Sequence, residues 1–228
     1  RIAFLRDVVR RPGSDPVFSL HLATELLEDA RELDAAEHEL QRALRRSRVD
    51  PHAAWIRSRI AWERGAAEEA REWLRFAACL DESGDELAFA YFSMCTARGK
   101  PEEALALLER RFERLGRRSG QPARVLSSAL ESLGRADAGL AVLERARELR
   151  PDDAELALTS AGALARCARF DAARAMLDAS RGRARASEWL ATAAWTARCE
   201  GDLPRALACW RELTEHEPMN VEAWQSIV

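Results

Sequence analysis

The stretch RGKPEEA at Arg98–Ala104 nearly repeats the stretch RGAAEEA at Arg64–Ala70, which lies 34 residues earlier in the chain. Both copies run from Arg and Gly to two glutamates and an alanine. Gly ends a helix easily because it adopts the left-handed conformation at little cost. Acidic side chains favour the positive N-terminal end of the helix that follows. The repeated stretch therefore predicts a turn between two helices that occurs more than once.

The alanine that closes this stretch belongs to a column of small residues that recurs along the chain. The column contains Ala36, Ala70, Ala104, Gly139, Ala173 and Ala206, with spacings of 34, 34, 35, 34 and 33 residues. Four residues after each member stands a large apolar residue: Leu40, Leu74, Leu108, Leu143, Leu177 and Trp210. Five residues before each member the residue is mostly Gly: Arg31, Gly65, Gly99, Gly134, Ala168 and Gly201. A steady period of this length is typical of helical repeat arrays.

The columns describe a hairpin of two helices in each repeat. Apolar residues lie three or four positions apart, which places them on one side of a helix. The small residues allow two helices to approach closely, and the large residue one turn later fills the space beside the contact. Pro151 and Pro218, each twelve residues after a small residue, prevent the second helix from continuing. We therefore predict an all-α fold, an α-solenoid of antiparallel helix hairpins.

From about Val17 to Asn220 this pattern resembles the tetratricopeptide repeat family. The fullest matches are GKPEEALALLERRF at Gly99–Phe112, GRADAGLAVLERARELRPDD at Gly134–Asp153 and GDLPRALACWRELTEHEP at Gly201–Pro218. The early aromatic residue of the family's first helix is mostly replaced by Leu or Ala. The resemblance implies a right-handed superhelix with one concave face, built from repeats that each bury their apolar side against their neighbours.

The repeat columns also predict how the chain is organised. Residues 1–16 are interpreted as the end of an upstream helix and a turn, and residues 221–228 as the start of a further repeat. Because the chain begins at Arg1 and ends inside a new helical pattern, we expect it to be part of a longer protein. Six hairpins are predicted between these segments, at 17–50, 51–84, 85–119, 120–153, 154–186 and 187–220.

Composition argues against several classes of function. The formal net charge of -3 does not favour nucleic-acid binding, and a chain with one Asn lacks the side chains with which pentatricopeptide repeats read RNA bases. No apolar run is long enough to insert into a membrane, and we expect a cytoplasmic protein. None of the five cysteines forms a Cys-x-x-Cys pair, which favours buried or half-buried free thiols over a metal or redox site.

No catalytic motif stands out. The four histidines form no zinc-binding pattern, and the chain contains no Gly-rich phosphate loop and no nucleophile elbow. We therefore expect no catalytic activity, cofactor or metal within these residues. The Arg-rich stretches RALRRSR at Arg42–Arg48 and LERRFERLGRR at Leu108–Arg118 fall at the ends of second helices, where positive charge suits the helix dipole. Binding of phosphate or nucleic acid is the alternative interpretation of these stretches.

The resemblance also indicates which residues face a partner. In the family, positions two, five, nine, twelve and thirteen of each repeat lie on first helices and point into the concave groove. In this chain those positions include His52, Trp55, Arg59, Trp62, Glu63, Glu86, Phe89, Ser93, Arg124, Ser128, Glu131, Glu188, Trp195 and Arg198. Trp and Arg are enriched in binding hot spots, although Trp55 can also be interpreted as a packing aromatic.

We therefore predict a scaffold that binds a peptide or a partner domain in its groove. The absence of Lys and Asn from the predicted groove argues against a clamp for a terminal carboxylate. Aromatic, Arg and Glu residues favour a partner with apolar anchors and mixed charge. Two alternatives stay open. One is a regulatory or substrate-recruiting region of a larger enzyme, of the glycosyltransferase, sulfotransferase or peptidase type, with its catalytic domain outside this chain. The other is self-association through unpaired ends of the solenoid.

Overall fold

The computed structural model describes residues 1–46, 50–82 and 84–227, and all regular secondary structure in these ranges is helical. The prediction of an all-α fold is thereby confirmed. Residues 47–49, 83 and 228, which belong to the predicted first and second hairpins and the last segment, lie outside the described residues. The helices are α1 Ile2–Arg10, α2 Pro16–Glu25, α3 Leu33–Leu44, α4 Pro51–Glu63, α5 Ala67–Leu80, α6 Glu86–Ala97, α7 Pro101–Leu115, α8 Gln121–Ser132, α9 Ala136–Leu149, α10 Ala154–Arg166, α11 Phe170–Ser180, α12 Ala186–Glu200, α13 Leu203–His216 and α14 Val221–Ile227.

The helices form two compact units, Arg1–Leu108 and Glu109–Val228, and the division falls within α7. In the first unit α1 packs on α2, α2 on α3 and α4, α3 on α4, α4 on α5, and α5 on α6. In the second unit α8 packs on α9, α9 on α10, α10 on α11 and α12, α11 on α12, α12 on α13, and α13 on α14. Each unit is therefore a series of hairpins in which a helix contacts helices that are close to it in the chain.

The repeat columns form the contacts inside these hairpins. The large apolar residues from Leu40 to Trp210 are all buried, with at most 8% of their surface exposed. The alanines of the small-residue column are buried to the same degree. At Gly139, an added β-carbon would lie 3.0 Å from the backbone carbonyl oxygen of Ser127. This distance shows how closely α9 approaches α8 and why the column accepts only small residues.

The first hairpin contains a feature that the sequence did not predict. After α2 the chain continues as a π-helical segment, Leu26–Ala30, and ends at Arg31 in the left-handed conformation with φ of 53°. Glu32 N donates to the carbonyl oxygen of Leu26 at 2.9 Å and closes this wider turn. Arg31 stands where most other repeats have Gly, so the turn is kept even though a non-Gly residue is strained there.

One cysteine differs from the sequence prediction. All five thiols are free, Cys95 is buried, and Cys167, Cys199 and Cys209 are partly buried. Cys79, however, is exposed, because it lies one turn after Phe76 on the outward side of α5, where Phe76 is itself 46% exposed. The prediction of buried or half-buried thiols is therefore wrong for Cys79.

Candidate partner-binding groove

The second unit contains a groove of about 690 Å³ that is lined mainly by first helices, and we call it the second-unit groove. Helices α8, α10 and α12 supply most of its walls, and two buried residues of α13 close it from below. The lining residues are Arg124, Glu155, Leu158, Thr159, Gly162, Arg166, Glu188, Ala191, Thr192, Trp195, Trp210, Leu213 and Asn220.

The floor of the groove is apolar. Leu158, Trp210 and Leu213 are 6%, 8% and 2% exposed, so the groove ends on tightly packed side chains. Gly162 leaves its part of the α10 wall bare, because the nearest atom to an added β-carbon, among those outside its own helix backbone, is Arg166 Nη1 at 3.6 Å. An apolar side chain of a partner could therefore reach the floor beside Gly162 and lose its contact with water there.

The rim of the groove carries paired charges. Arg124 donates to Glu155, and Arg166 donates through both Nε and Nη2 to the two carboxylate oxygens of Glu131, the latter at 2.9 Å. These pairs join successive first helices, and their side chains are partly exposed. Exposed pairs contribute little to stability, so the same charges can exchange partners when a ligand arrives.

Trp195 lies in the wall of this groove with an unsatisfied donor. Its Nε1 is buried and has no hydrogen-bond acceptor among the described residues, and the guanidinium of Arg198 stacks 4.3 Å from the ring centroid. The indole of Trp189, one helical face away, instead donates to the carbonyl oxygen of Leu177 at 2.9 Å. A buried donor without an acceptor costs about 1–3 kcal/mol, so Trp195 carries an unsatisfied donor that a bound partner could satisfy.

Asn220 corrects one expectation about the groove. The sequence analysis predicted a groove without Asn, yet Asn220 lines it. Its Oδ1 accepts from Ala223 N and its Nδ2 donates to Glu217 Oε2, each at 3.0 Å. The side chain is therefore already used in capping α14.

The first unit has a smaller cavity of about 270 Å³, here called the first-unit cavity. Four predicted residues of α4, namely Trp55, Arg59, Trp62 and Glu63, line it together with Ser58, Leu74, Ala90 and Met94. The ring of Trp55 packs against a hydrophobic core cluster that includes residues of α1 to α4, and the guanidinium of Arg59 lies 5.7 Å from its centroid. Trp62 is 49% exposed. Trp55 thus packs against the core and also lines the cavity, whereas Trp62 leaves about half of its surface exposed.

His52 does not line this cavity. Its Nε2 is 3.0 Å from Thr24 Oγ1, and its ring centroid is 5.5 Å from that of Trp55 and 6.0 Å from that of His21. Burial lowers the pKa of His52 below its ordinary value of 6.5, although Asp50 acts in the opposite direction. His52 is therefore a packing residue that favours the neutral imidazole.

Other predicted residues lie outside both cavities. Glu86, Phe89 and Ser93 are exposed on α6, which lines the first-unit cavity through Ala90 and Met94 instead. The cavity is lined by the side of α6 that faces α4. The residues on that side, Ala90 and Met94, each come one position after the predicted Phe89 and Ser93. Ser128 is exposed on α8 outside the groove. Glu131 and Arg198 do not line the groove, but Glu131 pairs with Arg166 and Arg198 stacks on Trp195, and both of these partners line it.

The contribution of α10 was not predicted from the sequence. Glu155, Leu158, Gly162 and Arg166 line the second-unit groove, and all four stand at the family positions two, five, nine and thirteen of the fifth repeat. The family positions that predict groove residues in the other repeats therefore apply to this repeat as well. Their signal was weak because Leu and Gly are not typical hot-spot residues.

Two negative observations apply to the described ranges, which leave out residues 47–49, 83 and 228. Within them, no group of three or more His, Cys, Asp or Glu side chains is arranged to hold a metal ion. The helices in the same ranges are also too short or too polar to cross a membrane.

Fold and site together define a helical-repeat protein in which first helices line the second-unit groove. Two family models described as tetratricopeptide repeat match the sequence, one at residues 22–84 and the other at residues 130–196. The chain belongs to the tetratricopeptide repeat family. No curated protein sequence matches it.

Solved structures of the same kind support the fold. The chain is similar to PilW, described as a widely conserved type IV pilus biogenesis factor, with a TM-score of 0.56 and 16% identity over 93% of this chain and 98% of PilW. It is also similar to a tetratricopeptide repeat protein from Parabacteroides merdae, with a TM-score of 0.58 and 12% identity over 99% and 87% of the two chains. Yeast Tom70 gives a TM-score of 0.66 with 14% identity over 94% of this chain and 46% of Tom70. At such identities the likeness concerns the fold alone.

Proposed function

We propose that the chain is a protein-interaction module and that its second-unit groove binds a peptide segment with an apolar anchor flanked by charges of both signs. The observation that carries the proposal is the groove itself. It joins a buried apolar floor at Leu158, Trp210 and Leu213 to a rim of Arg and Glu side chains.

The dimensions of the groove suit side chains of an extended or helical segment. A volume of about 690 Å³ falls within the range of ligand-binding clefts, and an apolar floor beneath a polar rim is the usual arrangement of a peptide groove. The large apolar side chain of a partner would lie beside Gly162, where the wall of α10 is bare.

The rim favours a partner of mixed charge. The lining residues include two arginines, Arg124 and Arg166, and two glutamates, Glu155 and Glu188, so neither sign prevails. A segment with both acidic and basic residues can pair with these groups without leaving one of them unpaired. A uniformly acidic or basic segment would meet like charges on part of the rim.

The first-unit cavity is proposed as a second contact surface. Trp62 is exposed beside Arg59 and Glu63, and aromatic and Arg side chains contribute strongly to binding when a partner covers them. Self-association through α1 and α14, where Phe4 and Trp224 are 66% and 51% exposed, stays a prediction.

The groove can be tested with peptides selected from a random displayed library on the whole chain. We expect the selected peptides to share a large apolar residue with charged residues on both sides. The variant Gly162→Leu fills the groove from its bare wall, and we expect it to lower peptide affinity by about tenfold or more, as the loss of a buried anchor does.

The matched control is Ala172→Leu, which adds a similar side chain at an exposed position of α11. It should bind the peptides as the wild type does. Equal helicity of all three proteins by circular dichroism excludes unfolding as the cause. Undiminished binding by Gly162→Leu would show that the groove is not the binding site, and a selection without enrichment would contradict the proposed function as a whole.

A further inference from the structure

Five arginines converge on one pocket of the first unit, which we call the arginine pocket. It has a volume of about 310 Å³ and is lined by Arg10, Arg11, Arg42, Arg45 and Arg46, together with the turn that joins α1 to α2. These residues come from two helices that are some thirty residues apart in the sequence. The concentration of positive charge contrasts with the formal net charge of -3 of the chain.

The α1–α2 turn explains why the arginines meet. Gly13 adopts the left-handed conformation with φ of 79°, and this places the end of α1 beside the start of α2. The end of α3 is then fastened to the same turn, because Arg46 Nη1 donates to Ser14 O at 2.6 Å and Arg42 donates to Val9 O. These contacts hold two of the guanidinium groups at the edge of the pocket.

The helix dipole explains only part of this cluster. Arg42 and Arg46 satisfy backbone carbonyls at and near the α1–α2 turn, which is a structural role. Arg11 pairs with Asp7 at 2.7 Å. The guanidinium groups of Arg10 and Arg45 make no hydrogen bond or ion pair with any of the described residues, although both arginines line the pocket. Two guanidinium groups that have no such partner and line the same pocket indicate a capacity to bind an anion.

The nearby carboxylates leave a positive excess. Asp7 pairs with Arg11, Glu39 lies 3.9 Å from Arg42, and Asp15 caps α2 by accepting from Val17 N at 2.9 Å. Five arginines against three carboxylates leave two positive charges. The five arginines thus outnumber these three carboxylates.

The shape of the site indicates a compact anion. Arg presents a planar fork of donors that matches the oxygens of phosphate in pairs. The five arginines line one compact pocket, an arrangement that suits a small anion. The volume of about 310 Å³ leaves room for more than one phosphate group.

We propose that the arginine pocket binds a small anion with two linked phosphate groups, of the pyrophosphate or nucleoside diphosphate class, and that Arg10 and Arg45 are its principal ligands. Arg42 and Arg46 contribute their remaining N–H groups from the edge. This site is separate from the second-unit groove and does not depend on the function proposed for it.

The test is isothermal titration calorimetry of the whole chain with sodium pyrophosphate at low ionic strength. We expect saturable binding at one site that weakens as salt is added, because exposed charges are screened. The double variant Arg10→Gln, Arg45→Gln removes the two arginines whose side chains have no partner among the described residues. Each lost charge-assisted contact should weaken binding by about tenfold.

The control is the double variant Arg205→Gln, Arg211→Gln, which removes the same charge from exposed positions of α13. It should bind pyrophosphate as the wild type does, and an equal loss in both double variants would show that only overall charge matters. Thermal unfolding gives an independent readout, since a ligand of the folded state raises Tm. Pyrophosphate should raise the Tm of the wild type more than sodium chloride of equal ionic strength does.

A second titration distinguishes the source of the phosphate. A short peptide that carries one phosphoserine presents the same chemistry on a protein chain. We expect it to bind more weakly than pyrophosphate. Binding of the peptide without binding of pyrophosphate, or the absence of any binding by the folded wild type, would overturn the proposal. Tighter binding of a single-stranded RNA than of pyrophosphate would overturn it as well.

Discussion

Ala168 occupies the same left-handed backbone conformation as Gly134, which stands 34 residues earlier at the equivalent turn. Their φ angles are 56° and 76°. The residue after each of them donates an equivalent backbone hydrogen bond of 2.9 Å, from Arg169 N to Leu164 O and from Arg135 N to Leu130 O. The hairpin geometry therefore determines the turn, and the fifth hairpin keeps it with a residue whose β-carbon is strained there.

Exchanging the residues of these two turns should have opposite effects on stability. We expect Ala168→Gly to raise the free energy of unfolding by about 1 kcal/mol, because the strain of a left-handed Ala exceeds the added entropy of the unfolded chain. Gly134→Ala should lower it by about the same amount. Urea denaturation followed by circular dichroism measures both. A loss of stability in Ala168→Gly would contradict the assigned conformation.

The two glycines inside helices should respond differently to the same substitution. Gly162→Ala adds a β-carbon with ordinary contacts and should raise the free energy of unfolding by roughly 0.5–1 kcal/mol, as expected for Ala inside a helix. Gly139→Ala places its β-carbon 3.0 Å from Ser127 O and Oγ, so this gain should be cancelled or reversed. Thermal and urea unfolding compare the two, and equal gains would show that α8 and α9 are not so close.

Replacing Trp195 should separate binding from stability. Trp195→Phe removes a buried N–H that has no acceptor, so we expect the free energy of unfolding to fall by less than about 1 kcal/mol or to rise. Trp189→Phe is the matched control, since it removes a donor bonded to Leu177 O and should cost more. If the indole N–H of Trp195 finds its acceptor on a bound peptide, Trp195→Phe also weakens binding. Affinity for the selected peptides measures this effect.

The lowered pKa of His52 predicts a dependence of stability on pH. As the pH falls through the ordinary histidine value, the unfolded chain binds a proton at this residue before the folded chain does. The free energy of unfolding therefore decreases. The contribution is fully present above pH 6.5 and is lost as the pH falls through the folded pKa. Denaturation between neutral and mildly acidic pH should show a smaller slope for His52→Gln.

The control for this prediction is His216→Gln, which removes an exposed histidine at the end of α13 and should keep the wild-type slope. If His52→Gln has the same slope as the wild type, other groups govern the pH dependence in this range.

The fold was predictable because its determinants recur. The small and large residues of the columns at Ala70 and Leu74 are contacts within each hairpin, and burial in the structure confirms that role. The left-handed turn at Gly99, with φ of 71°, was equally visible. The turn at Ala168 and the π-helical segment before Arg31 were not visible, because in both places tertiary packing outweighs local preference.

The candidate sites were less predictable, since they depend on which flank of a helix faces its neighbour. Trp62 and Trp195 follow from family positions alone. Ala90 and Met94 do not, because a shift of one residue along α6 cannot be read from spacing. The residues of the arginine pocket come from two segments that are far apart in the sequence. Their proximity depends on the left-handed turn at Gly13, and the repeat pattern does not show that the two segments meet.

The packing of each helix on helices close to it in the chain has a consequence for how a bound ligand is felt elsewhere. Within each unit, we expect an effect of binding at one hairpin to pass to a distant hairpin mainly through the hairpins between them, because each helix packs on helices close to it in the chain. Protection from amide hydrogen exchange should therefore spread outward from an occupied site and fade with each repeat. The position of the bound ligand would therefore be recognisable from the repeat whose amides gain the most protection.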